Sequence, residues 1–234
     1  MKARHVLNRM FPRFGSQLGT DFRGALIIAE KLLHLPFHKR RAAYVSAAGL
    51  ATGVVLASAF DRRITATATK LSGPWVRQVN RIGHLYQTPG LILGTASGLY
   101  LYGIAANHAK TRRMGVEIVE AYAAAFIGTE ILKHLLGRSR PFLNQGPYTF
   151  GGLRLRYRHT SFPSGDVAAA FSLSSVLALE SQSAPLAAVC YALASLTAFQ
   201  RISTNQHWFS DTVASAIWGT ASGFAVVNLN RIKE

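Results

Sequence analysis

The stretch "AAYVSAAGLATGVVLASAF", Ala42–Phe60, decides the fold. It runs 19 residues without a charge, between Arg40, Arg41 on one side and Asp61, Arg62, Arg63 on the other. About 20 apolar residues suffice to cross the hydrocarbon core of a bilayer. A run of this length, free of charge and closed by charges at both ends, reads as a transmembrane helix.

The rest of the chain agrees with that reading. Of 234 residues, 49% are hydrophobic and only 15% charged, where a soluble domain carries about 25%. Five further apolar segments follow: Leu91–Asn107, Ile118–Leu136, Val167–Ser181, Ala184–Gln200 and Trp208–Leu229. The fourth and fifth of the six are short, and each alone reads equally as a buried helix of a soluble protein. Six in succession, rich in Ala, Gly and Ser, predict a membrane bundle, because small residues let membrane helices approach closely. The expected fold is all-α: an integral membrane bundle of about six transmembrane helices, residues 42–234, preceded by a basic N-terminal segment, residues 1–41. Within that segment Phe22, Ala25, Leu26, Ala29, Leu32 and Leu33 share one helical face of Asp21–Leu35, as in an interfacial amphipathic helix or one packed on the bundle. No apolar core and cleavage site follow the first basic residues, so the N-terminus does not read as a signal peptide. Gly73-Pro74 and Pro89-Gly90 punctuate what reads as a long link between the first two spans.

Charge sets the orientation. Lys and Arg number 26 against 10 Asp and Glu, for a net charge of +16. The cations lie between apolar runs and not on one aromatic-laced basic face, which disfavours nucleic acid as a partner. The N-terminal segment, the His108–Arg113 loop and the C-terminal Arg231 and Lys233 fall on one side of a six-span chain. That side is cytoplasmic by the positive-inside rule, although the link after the first span is basic too. The loops after the third and fifth spans then face outward. The single cysteine, Cys190, lies in an apolar run and has no partner for an internal disulfide.

Those two outward loops and their helix ends hold three polar motifs. In "KHLLGRSRP", Lys133 and Arg140 are seven residues apart, about two helical turns, and so fall on nearly one face; Pro141 is expected to stop the helix. Cations at a membrane surface need solvent or anionic partners, so the two either snorkel or hold an anion, and Arg138 reads as a pure snorkeller. In "SFPSGD", Pro163 and Gly165 shape a turn at the start of the fourth span. The free N–H groups there suit a phosphate. Capping by Ser164 or Asp166 explains the same residues. In "FQRISTNQHWFSD", His207 and Asp211 are i and i+4, on one helical face. An Asp that fixes one imidazole nitrogen leaves the other basic and nucleophilic, and Arg201 lies six residues upstream.

Taken together the motifs resemble those of the type 2 phosphatidic acid phosphatase family, which shares its catalytic core with vanadium haloperoxidases. That family's signature is Lys-x6-Arg-Pro, then Pro-Ser-Gly-His, then Ser-Arg-x5-His-x3-Asp. Here the chain has Lys133-x6-Arg140-Pro141, then Pro163-Ser164-Gly165-Asp166, then Gln200-Arg201-x5-His207-x3-Asp211. All spacings match. Gln200 replaces a Ser, and Asp166 replaces a His.

The resemblance implies a lipid phosphatase. His207 would attack phosphorus and form a phosphohistidine, and Asp211 would orient it. Lys133, Arg140, Arg201, Ser164 and the Gly165 amide would hold the phosphoryl oxygens, with no metal and no other cofactor. The partners would be a lipid phosphate substrate and the bilayer. His159 with Arg154, Arg156 and Arg158 would recruit an anionic headgroup or form a solvated charge run. The compact chain suggests a bacterial inner membrane, with the active site facing the periplasm. Asp166 stands where the family has the acid that protonates the leaving group. It acts as the acid itself, or little acid is needed because the leaving group is a phosphate, as with a polyprenyl diphosphate. A phospholipid phosphate is the other expected substrate. A lipid phosphotransferase and a catalytically silent phospholipid-binding protein are the alternatives.

Overall fold

The computed structural model describes residues 17–27, 30–31, 49, 51–153 and 155–232. These are overwhelmingly helical, and their one β contact is an isolated bridge between Arg138 and Phe150. Among the described residues from 61 on, seven α-helices follow one another: α1 (Asp61–Ala68), α2 (Pro74–Tyr86), α3 (Pro89–Ala105), α4 (Ala109–Leu136), α5 (Gly165–Ser181), α6 (Ala184–Ser203) and α7 (Phe209–Arg231). Residues 17–27 and 51–58 are helical as well.

Local chemistry sets the helix ends. Thr88, Ser164 and Ser183 each accept a hydrogen bond from the backbone N–H three residues on, at 3.3, 3.5 and 3.4 Å, which satisfies one otherwise orphaned donor at each N-terminus. Proline opens α2, α3 and α6, where its missing N–H costs nothing. At the far end of α4, Gly137 takes a left-handed conformation (φ 60°, ψ 40°) and returns its N–H to Lys133.

The core helix is α5. Its Val167, Ala168, Ala170, Leu173 and Val176 are all but fully buried, because α7, α6 and α4 surround it. Ile118 and Ala121 of α4, Ala194 of α6 and Val226 and Val227 of α7 complete the apolar core. By length and mean hydropathy, α6 and α7 each suffice to cross a bilayer, and α3 is a shorter apolar helix.

Two expectations are corrected here. The basic link between the first two apolar segments is not an open connection but α1 and α2. The α2 helix lies along α6: Asn80 meets Ser203 at 2.9 Å, the Gly83 carbonyl accepts from Thr197 at 2.9 Å, and Tyr86 reaches Ser174 of α5 at 2.9 Å. Its buried residues Val76, Gly83 and Tyr86 recur at helical spacing, a pattern masked by the arginines on its other faces. The second correction concerns α4, which ends at Leu136 and not at Pro141, so Lys133 and Arg140 do not share a helical face.

Of the expected span Ala42–Phe60, residues 42–48 and 50 lie outside the described residues while 51–58 are helical, and of the expected amphipathic helix residues 28–29 and 32–35 lie outside. Within residues 17–27, Phe22 and Leu26 are exposed. The helix is tied to the bundle through Asp21, which accepts from the Tyr100 hydroxyl at 3.0 Å and pairs with Arg112 at 3.6 Å.

Candidate active site

All eight residues singled out by the motifs lie at one end of the bundle. The end of α4 supplies Lys133, the α4–α5 connection Arg140, the start of α5 Ser164, Gly165 and Asp166, the last turn of α6 Arg201, and the start of α7 with its approach His207 and Asp211.

His207 is buried just before α7. Its Nδ1 lies 2.6 Å from the Ser161 carbonyl oxygen. A carbonyl can only accept, so Nδ1 carries the proton and Nε2 presents a free lone pair. Asp211 stands behind, 3.6 Å from Nδ1. It is therefore not the direct hydrogen-bond partner expected from the i, i+4 spacing; the Ser161 carbonyl has that position. Asp211 holds Ser161 in place instead, accepting from its hydroxyl at 2.5 Å and from the Trp208 N–H at 2.8 Å. Burial pushes the His207 imidazole below its ordinary value. Asp211 opposes this, and the charge of Arg140 adds to it. At neutral pH the imidazole is thus neutral, as a nucleophile must be.

The cations form a second group. Arg140 is buried and directs every nitrogen to a different acceptor. Nε donates to the Tyr157 carbonyl at 3.0 Å, one terminal nitrogen to the Tyr157 hydroxyl and Gln206 Oε1 at 3.0 Å each, and the other to the Thr160 carbonyl at 3.4 Å. The Tyr157 ring stacks on the guanidinium at 3.8 Å. Lys133 pairs with Glu130, one turn back on α4. A Cβ added to Gly165 would sit 2.9 Å from Lys133 Nζ, so only glycine lets the ammonium come this close to the α5 N-terminus. Ser164 caps α5 and donates its own N–H to Ser215 of α7 at 2.6 Å. Arg201 reaches Asp166 at 2.7 Å, and Asp166 is 42% exposed.

Sequence reasoning misplaced Arg138. It is not a snorkelling side chain: it is 2% exposed and is the largest fully buried side chain among the described residues. Its terminal nitrogens meet Asp211 at 2.5 Å and Asp61 at 2.7 Å, and its Nε donates to the Pro147 carbonyl at 2.8 Å. Phe150, Phe162 and Trp208 surround the guanidinium at 5.4, 5.9 and 6.0 Å, a setting that favours Arg over Lys. Asp61 in turn accepts from the Ser210 N–H at 2.7 Å and the Ser210 hydroxyl at 2.8 Å. The only sequence signal for this cluster was the first arginine in "GRSRP", Arg138. Among the described residues, no group of three His, Cys, Asp or Glu side chains gathers to hold a metal.

The PAP2 superfamily model matches residues 115–233 of the chain. A lipid A 1-phosphatase of Porphyromonas gingivalis is 40% identical over 86 residues, covering 35% of this chain and 19% of that protein. The match thus spans about a fifth of that relative's length. Among solved structures, LpxE of Aquifex aeolicus superposes with a TM-score of 0.56 at 18% identity, over 72% of this chain and 95% of that one. The first transmembrane PAP2-type phosphatidylglycerolphosphate phosphatase of Bacillus subtilis gives 0.56 at 19% identity, over 92% and 96%. At these identities the two structures establish a shared fold.

Proposed function

The chain belongs to the PAP2 superfamily, and from its geometry we propose that it is a membrane lipid phosphatase working through a phosphohistidine. The observation that carries this reading is the hydrogen bond from His207 Nδ1 to the Ser161 carbonyl. It leaves Nε2 as an unprotonated nucleophile at the end of the bundle where Arg140, Arg201 and Lys133 gather.

In the first step the Nε2 lone pair forms a bond to phosphorus while the bond to the leaving oxygen breaks. The leaving group departs with that electron pair. His207 becomes a cationic phosphohistidine, which the Asp211 carboxylate balances. In the second step water attacks the same phosphorus, the P–N bond breaks back to Nε2, and phosphate leaves. Lys133, Arg140 and Arg201, with Ser164 and the Gly165 amide, steady the charge on the phosphoryl oxygens, which is most of what such a transfer needs.

The Asp166–Arg201 pair bears on the substrate. A carboxylate engaged by a guanidinium is a poor proton donor, which favours a leaving group that departs without a proton. A lipid diphosphate, such as a polyprenyl diphosphate, expels a phosphate and fits; a monoester expels an alkoxide and does not. We place the active site on the periplasmic face of a bacterial inner membrane, in a bundle of about six spans preceded by a helix whose exposed Phe22 and Leu26 meet lipid. The relatives' names and the lengths and hydropathy of α6 and α7 support the membrane setting.

The test is phosphate release by purified protein from a panel of polyprenyl diphosphate, phosphatidate, phosphatidylglycerol phosphate and lipid A. Wild type should act on the diphosphate in preference to the monoesters. His207→Ala should lose at least about 10³-fold, as removal of a nucleophile does, while Asp166→Asn should keep its rate on the diphosphate. Turnover undiminished in His207→Ala, or none on any lipid, would refute the reading.

A further inference from the structure

The proposed mechanism gives no role to the buried acid that Arg138 links to Asp211. Asp61, the first residue of α1, is fully buried and far in sequence from every motif. Three donors converge on its carboxylate: the Ser210 N–H, the Ser210 hydroxyl and the Arg138 guanidinium. Those of Asp211 are likewise all donors, namely Arg138, the Ser161 hydroxyl and the Trp208 N–H. No acceptor faces either acid in these contacts, so both are engaged as carboxylates.

These contacts fix the charge balance behind the nucleophile. Asp211 supplies one negative charge to stabilise the cation that His207 becomes. Arg138, 2.5 Å from Asp211 and buried with it, cancels that charge. With Arg138 alone, the pair behind His207 would be neutral. Asp61 on the other side of the same guanidinium restores one net negative charge, in a setting where water screens little. It also pins the first turn of α7 through Ser210, and with it the spacing of Asp211 from the imidazole.

We propose that Asp61 is a positioning residue for the catalytic pair: through Arg138 it returns to Asp211 the countercharge that the cationic state of His207 requires. The proposal rests on the phosphohistidine reading above. The charged groups around His207 are Asp211 on α7, Arg138 and Arg140 on the α4–α5 connection, Asp61 on α1, Asp166 on α5 and Arg201 on α6. Of these, Asp61 and Arg138 alter the field from behind the ring without meeting substrate.

The test measures the His207 imidazole titration by NMR in detergent, and kcat and KM on the preferred lipid, in wild type, Asp61→Asn, Arg138→Gln and the double variant. Asp61→Asn lowers the field by one negative charge, so the imidazole should titrate at lower pH and kcat should fall about 10- to 100-fold with KM little changed. Arg138→Gln raises the field, so the imidazole should titrate at higher pH. The double variant restores the net charge and should recover kcat relative to Asp61→Asn. Shifts of the same sign in both single variants, or a wild-type titration and kcat in Asp61→Asn, would overturn the proposal. Should Asp61→Asn fail to fold, the double variant read against Arg138→Gln decides it: the imidazole should titrate at lower pH in the double variant, and an equal titration in the two would overturn the proposal. The titration needs no turnover, so failure of the phosphatase reading shows separately, as absence of phosphate release by wild type.

Discussion

Replacing Gly219 with alanine tests whether the site depends on how closely α5 and α7 approach. Gly219 lies against Ala168 of α5. A Cβ there would sit 2.9 Å from the Ala168 carbonyl carbon and 3.0 Å from its Cα, with the carbonyl oxygen nearer still. All three are backbone atoms, so no side chain can swing away. The helices must part by roughly 1 Å, and overpacking of this kind costs about 1–3 kcal/mol. Against this, alanine gains up to about 1 kcal/mol in helix propensity, so the net effect is destabilising. Function should suffer more than stability. Ala168 is one turn inward from Ser164, and Gly219 two turns inward from Asp211, so the shift separates the two halves of the site. A misplacement of about 1 Å can cost about 10²-fold in rate. The assay is phosphate release on the preferred lipid together with thermal unfolding in detergent. Gly94→Ala is the control, because no atom lies within 4 Å of a Cβ there. It should keep full activity and unfold at the same or a slightly higher temperature. If Gly219→Ala matches Gly94→Ala in both readouts, the close approach does not hold the site together.

Two further outcomes rest on single side chains. On the proposed mechanism the neutral imidazole is the active form, and burial holds His207 below the ordinary 6.5, so kcat/KM should fall to half its maximum only below pH 6.5; a half-maximum above pH 7 would count against His207 as the group titrating. Arg140→Lys should lose about 10²-fold in kcat/KM, because one ammonium cannot serve the five separate acceptors that the guanidinium reaches, and wild-type kcat/KM in that variant would refute the assignment.

The helices of the bundle's second half were legible because their signals are local. Ser183 with Pro185 marks the start of α6 and Ser164 that of α5, and each start leads directly into an apolar run. The motif residues gather at one end because all but Arg140 sit at or beside a helix terminus, where sequence patterns are strongest. The features that could not be read depend on distant contacts. Arg138 meets Asp211 and Asp61 across 73 and 77 residues, and nothing in "GRSRP" separates a buried arginine from an exposed one. The helical nature of α1 and α2 was hidden by their arginines, whose pattern is that of a solvated link. The supposed common face of Lys133 and Arg140 failed at Gly137, whose left-handed conformation ends α4 before the period completes.

The Asp61–Arg138–Asp211 cluster is hard to account for as a stability device. Burying three charges carries a large desolvation cost, and apolar side chains of similar volume often hold helices together as well or better. Three aromatic rings already pack around the guanidinium, so an apolar replacement would be well accommodated. Its odd number of charges leaves the cluster itself one net negative charge, which no group inside it balances. On the phosphohistidine reading that excess has a use. It lies directly behind His207 and is matched most closely when the imidazole becomes cationic. The cost of the unpaired charge then falls on the resting state and its relief on the reacting one, which is the direction that lowers a barrier.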